Sequence, residues 1–184
     1  MAQTPLVKGV WFVTTKRYVL ETYDEGVLAA IARALPEENR GALLDPLPSA
    51  WYHEDVFQQA MHAVMQVVAH HDPDVFGEFI EACTVLGVNM FFRVMLRITS
   101  PAFLMRNMPT MFRQYRRNDW HCEAEADERH AVLTWRGCPY LADRIYRYFL
   151  VAVLNKCTEL CSGKRPKIDI LAHGPDSVTT RVLF

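Results

Sequence analysis

The chain has 184 residues, of which 51% are apolar and 22% charged, and its net charge is −1 at neutral pH. A chain of that length buries roughly two thirds of the surface its unfolded form exposes, so it needs neither disulfides nor a structural metal to fold. The composition excludes a disordered chain, and the charge balance excludes a general attraction to nucleic acid or acidic lipid.

The longest unbroken apolar run, Tyr148 to Leu154, is far below the ~18 residues of a membrane span. The first residues, MAQTPLVKG, lack the basic-then-apolar pattern of a signal peptide. Five cysteines, an odd number without a regular framework, agree with reduced thiols. A cytoplasmic location is the expectation. With no repeat, low-complexity segment or long linker, residues 1–184 are expected to form one domain.

Val7 to Val13 is apolar and partly β-branched, a short strand or the lead into a helix. Residues 15–35 carry Tyr18, Val19, Tyr23, Val27, Ile31 and Leu35 at helical intervals. Three prolines and a glycine make residues 36–50 a loop with at most one helical turn. A helix over 54–71 follows. Asp72-Pro73 then places an N-cap and a tolerated first-turn proline before a helix running to about Ile98. Ser100-Pro101 repeats that signal and opens the helix containing NMPTMFRQY. There Met108, Met111, Phe112 and Tyr115 lie at i, i+3, i+4 and i+7.

After Asn118 the period becomes two. HCEAEA and RHAVLTW are strands, and the short link Asp127-Glu128 makes them a hairpin. A helix from about Pro139 to Cys161, closed by Ser162-Gly163, precedes the strands KIDILA and SVTTRVLF. The expected architecture is α+β: a mainly helical subregion, 1–118, packed on a sheet subregion, 119–184. The sheet is four-stranded and mainly antiparallel, with the order β-β-α-β-β.

Little in the chain nominates chemistry. His62 and His70 are eight residues apart, about 12 Å along one helix, too far to share a zinc ion. Glu78 and Glu81 lack the Glu-x-x-His partner of a diiron site. Cys157 and Cys161 share a helix face but have no second pair, and His121 and Cys122 point to opposite faces of a strand. Phosphate-binding, dinucleotide, serine-hydrolase and zinc-protease motifs are all absent, so no enzyme is expected. The charge anomaly is Arg106, Arg113, Arg116 and Arg117, with no acid between residues 100 and 118. It suggests either an anion site at Arg113, Arg116 and Arg117, or pairing with Asp119, Glu123, Glu125, Asp127 and Glu128.

The stretches WYHEDVFQQAMHAVMQVV with Tyr52, EACTVLGVNMFF with Gly87, FLMRNMPTMF and the terminal β-β-α-β-β, in that order, resemble the haem-nitric oxide/oxygen binding (H-NOX) domain. They also resemble its relatives, the vinyl-reductase-type regulatory domain and the Bet3-like tethering subunits. The LP…SAWY stretch is similar to a paralogous family abundant in myxobacteria. The resemblance implies a cofactor pocket, but it puts Phe112 where the iron-ligating histidine should stand. It also puts Trp135, Gly137 and Pro139 where the propionate-binding Tyr, Ser and Arg should stand. A second register, YLADR, keeps Tyr140 and Arg144 but falls inside the following helix. Phenylalanine has no lone pair for iron, so no haem and no other cofactor is expected.

Two functions stay open on this resemblance. One is a regulatory or sensory domain whose cleft between helices and sheet takes a small apolar ligand, such as an acyl chain or a pigment-like molecule. Met105, Met108, Met111, Phe112, Tyr115 and Trp135 are its candidate lining. The other is a homodimeric interaction module acting through the Tyr148–Leu154 segment and the arginines.

Overall fold

The structure, a computed structural model, describes residues 4–87, 99–118 and 120–184. A strand β1 (Leu6–Lys8) leads directly into helix α1 (Val10–Thr22), so both readings of Val7 to Val13 hold in succession. Gly9 makes the joint. A side chain there would meet the Leu47 carbonyl oxygen at 2.0 Å and the Tyr52 ring at 2.8 Å, and this close approach sets the start of α1.

The single helix expected over 15–35 is two helices, α1 and α2 (Glu25–Arg33). Asp24 takes an extended backbone and caps α2 by accepting from the Val27 N–H at 2.9 Å, a break that the apolar spacing alone does not reveal. The proline-rich loop holds a short 3-10 turn, Glu37–Asn39, and α3 (Arg40–Leu44). A strand not expected from sequence, β2 (Trp51–His53), then pairs with β1.

Helix α4 (Glu54–Val67) and helix α5 (Pro73–Gly87) follow. Asp72 accepts from the Asp74 and Val75 N–H groups, as the Asp-Pro signal implies. The continuation to Ile98 lies outside the described residues. Ser100 caps α6 (Pro101–Phe112), accepting from the Phe103 N–H, and β3 (Arg116–Arg117) completes a small antiparallel sheet of order β2-β1-β3.

The second sheet has the expected antiparallel β-β-α-β-β connectivity. Its strands are β4 (His121–Ala126), β5 (His130–Arg136), β6 (Lys167–His173) and β7 (Ser177–Leu183), in spatial order β4-β5-β7-β6. Alternation decides which face is covered. Ala131, Leu133 and Trp135 of β5 and Val178, Thr180 and Val182 of β7 are buried. On the opposite face, Thr134 and Thr179 share a hydrogen bond and Arg181 pairs with Asp169.

Between β5 and β6, Pro139–Ala142 forms a 3-10 turn and α7 (Arg144–Ser162) starts five residues later than expected. Gly163, at φ 69°, ends it in the left-handed conformation open to glycine. Asp143 is the reason for the later start: it caps α7 through the Ile145 N–H and also takes Gln58 Nε2 at 2.7 Å and His62 Nε2 at 2.5 Å. It thereby ties α7 to α4.

Burial alone raises the Asp143 pKa, but these His62, Gln58 and backbone donors outweigh it and hold the carboxyl below its ordinary value. A folded-state value below the unfolded one stabilises above the ordinary Asp value of 3.8 and is lost as pH falls through the folded value. Asp143→Ala is expected to cost about 1–2 kcal/mol in urea titration near neutral pH. The gap to wild type should close below that carboxylate range; a gap unchanged at acid pH would remove Asp143 as its source.

Candidate functional site: an apolar cavity beside a buried ion pair

The helices and the second sheet border a partly open cavity of about 90 Å3. Val10, Trp11 and Thr14 reach it from α1, and Thr84 and Gly87 from the last turn of α5. Met108, Met111, Phe112 and Tyr115 bound it from α6 and the turn beyond, and Trp135 from β5. Phe149, Leu150, Val153, Leu154 and Cys157 form the α7 wall. Five of the six residues expected from sequence therefore line one space. Met105 does not: it is wholly buried one turn earlier on α6, in the core rather than on the wall.

The threonine hydroxyls of the walls are engaged within their own helices, while the buried indole N–H groups of Trp11 and Trp135 have no hydrogen-bond partner among the described residues. Thr14 Oγ1 donates to the Trp11 carbonyl at 3.0 Å, and Thr84 Oγ1 to the Ile80 carbonyl at 2.8 Å. Burial pushes the Cys157 thiol up to about 12, so it stays neutral, and burial likewise raises the Tyr115 phenol. No histidine or carboxylate lines the cavity among the described residues. All seven histidines lie on other parts of the structure.

The exception to this polarity is Arg116. It was expected on an exposed anion-binding patch, but it is 3% exposed and lies against the cavity. Its Nε sits 3.3 Å from Glu54 Oε1, and Glu54 is completely buried. The Tyr146 hydroxyl donates to Glu54 and receives Arg116 Nη2 at 3.3 Å. The guanidinium carbon lies 4.9 Å from the Phe57 ring centroid, and the rings of Phe149, Trp11, Phe112 and Trp120 stand 5.7–6.0 Å away. Burial raises the Glu54 pKa against the opposing pull of Arg116, Tyr146 and Trp120. On Arg116 burial acts to lower the pKa, and the neighbouring Glu54 carboxylate overcomes it, so the cation persists.

The remaining arginines do not form a cluster with it. Arg106 donates twice to the Ala126 carbonyl, Arg113 reaches Thr110 Oγ1 at 3.4 Å, and Arg117 stacks 4.0 Å over the Trp51 ring. Among the described residues none of these arginines pairs with a hairpin acid: Glu123 faces Arg136 and Asp127 faces His130, while Asp119 lies outside the described residues. The Tyr148–Leu154 segment, expected as a dimer surface, is turned inward. None of its residues is exposed, and four of them line the cavity.

Sequence spacing missed Glu54, Tyr146 and Trp11. An ion pair between residues 54 and 116 has no periodic signature. The only signal was an arginine run with too few neighbouring acids.

No family model and no curated protein matches the chain. Solved structures do. An H-NOX protein from S. oneidensis, a triple mutant in the Fe(II) state, superposes with a TM-score of 0.70 at 12% identity, covering 96% of this chain and 95% of that one. The Fe(II) unliganded H-NOX protein from K. algicida gives 0.67 at 12%, covering 96% and 95%. The oxygen complex of an oxygen-binding H-NOX domain related to soluble guanylate cyclases gives 0.63 at 10%, covering 96% and 92%.

The chain has the H-NOX fold. Likeness at such low identity carries the fold and not the chemistry, which depends on the side chains in the site. In the H-NOX-like fold of this chain, the second register of the propionate motif places no cation at the cavity: Arg144 is exposed and lies over the Tyr148 ring at 5.2 Å. Trp135, Gly137 and Pro139 of the first register offer no cation at all. Among the described residues, no three His, Cys, Asp or Glu side chains are grouped to hold a metal ion, and no helix is long and apolar enough to cross a membrane.

Proposed function

We propose that this is a haem-free sensory or regulatory domain that binds a small apolar molecule in the cavity between helices and sheet. The observation that carries the reading is the chemistry of the cavity wall. A haem needs an axial donor and counter-charges for two propionates. Phe112 offers no lone pair, Met108 and Met111 offer only weakly donating thioethers, burial favours the neutral Cys157 thiol and Tyr115 phenol, and the one cation lining the cavity among the described residues, Arg116, is already balanced by Glu54. The residues present therefore do not fit a haem, although the H-NOX proteins of the same fold are described in Fe(II) and oxygen-bound states.

The fold still supports a ligand-binding domain, because the cavity is formed and bounded by two adaptable methionines. At about 90 Å3 it is smaller than the apolar cavity of ~150 Å3 that benzene fills, so it suits a small molecule or one end of a larger apolar one. The kinship with regulatory relatives of the H-NOX group rests on the sequence stretches around Tyr52 and Gly87. A role as an interaction module is less favoured, since the segment that was to form the dimer contact faces the interior.

The experiment is optical. Purified protein should show no Soret band, and added haemin should give only the broad absorption of the free molecule. A stoichiometric band would refute the haem-free reading.

A further inference from the structure

The three-stranded sheet turns one face inward and one outward. Val7 of β1 pairs with Tyr52 of β2 and with Arg116 of β3, and Val7 and Arg116 are buried. Alternation puts their neighbours on the opposite face, where Leu6 stands beside His53 and Arg117, and Lys8 beside Trp51. His53 and Arg117 are exposed there, and Leu6, Lys8 and Trp51 are half-buried. None of the five lines the cavity.

Two cations share the Trp51 ring. The Arg117 guanidinium carbon lies 4.0 Å from its centroid and Lys8 Nζ 5.7 Å. Neither side chain has a carboxylate or a hydrogen-bond acceptor as partner among the described residues. The ring attracts both through its quadrupole, which uses none of their N–H donors. Charged side chains on short strands guard sheet edges against stray pairing. That role needs no indole, whereas tryptophan and arginine together are the residues that anchor protein interfaces.

We infer that this face docks an acidic segment of a partner protein, with a carboxylate between Arg117 and Lys8 and an apolar neighbour packed on Trp51 and Leu6. Charge complementarity selects the partner. The whole chain carries −1, so this face is a local positive patch that attracts an acidic segment and gives no general pull on anions. The guanidinium fork matches a carboxylate with two parallel hydrogen bonds, and Lys8 adds a point charge. Both cations stand on fixed backbone. Arg117 directly follows Arg116, which Glu54 holds in the interior, and Lys8 directly precedes Gly9, which is packed against Leu47. A small anion would meet only the two charges; a peptide also covers the indole.

The full chain is titrated by NMR with a short peptide of glutamate and leucine, and with the same peptide carrying glutamine for glutamate. The acidic peptide should shift the Trp51 indole N–H signal saturably, and more weakly as salt is added; the glutamine peptide should not. Lys8→Gln/Arg117→Gln should lower the affinity for the acidic peptide about tenfold, the effect of two exposed charge contacts. Trp51→Leu keeps both cations and should lower it as well. Arg129→Gln, at an exposed arginine of the other sheet's hairpin, should leave it unchanged.

No saturable shift at Trp51, or equal weakening by Arg129→Gln and by the double variant, overturns the inference. Inorganic phosphate binding more tightly than the peptide overturns it in favour of a small-anion site. Trp51 shifts that depend on protein concentration without peptide overturn it in favour of a second copy of the chain.

Discussion

Replacing Arg116 by methionine should destabilise the protein by about 3–5 kcal/mol, because it leaves Glu54 as a buried carboxylate without its cation. The loss should depend on pH with a defined sign. Burial already raises the Glu54 pKa, and removing Arg116 takes away an interaction that opposes the rise. A carboxyl whose folded value lies above the unfolded one favours the fold in acid and opposes it once pH climbs through the folded value. Arg116→Met should therefore lose most stability at neutral and alkaline pH and least in acid. Glu54→Gln/Arg116→Met should recover much of the loss, since no charge is then buried unpaired. Urea titrations at several pH values measure all three. A single-variant loss below about 1 kcal/mol would mean that the pair is solvated or unformed.

Trp135→Ala should cost about 3–5 kcal/mol, the range for removing a large aromatic side chain from a packed interior. Trp135 is 1% exposed, projects from near the end of β5, an interior strand of the second sheet, and forms both core and cavity wall. Its loss should also enlarge the cavity, so a benzene-sized probe excluded by wild type should bind the variant if it stays folded. Equal stability of variant and wild type would show that Trp135 is not packed between the sheet and the cavity.

Where a periodic pattern meets a cap, sequence and structure agree. Asp72-Pro73, Ser100-Pro101 and Gly163 bound their helices as expected, and the period-two stretches form the four-stranded sheet. Asp24 and Asp143 were overlooked as caps because each sits inside an apolar pattern that continues on both sides. The small sheet was missed because its strands have only two or three residues and are held by partners far apart in sequence.

The same division runs through the site. The Met108–Tyr115 stripe is local, and its spacing found one wall. The α7 wall was visible as an apolar helix, but periodicity does not say whether such a face meets a partner, a core or a cavity. Arg116 marks the limit most clearly: its charge suggested the surface, and only the tertiary fold brings it to Glu54.

We propose that the cavity of this H-NOX fold takes a small apolar molecule and does not hold haem. Haemin titration of the purified full chain, read by absorbance, tests it most directly. No Soret band should develop beyond the broad absorption of free haemin, and the tryptophans around the cavity should report no saturable quenching. A sharp one-to-one band, abolished by substituting Tyr115, Cys157 or one of the histidines, would contradict it.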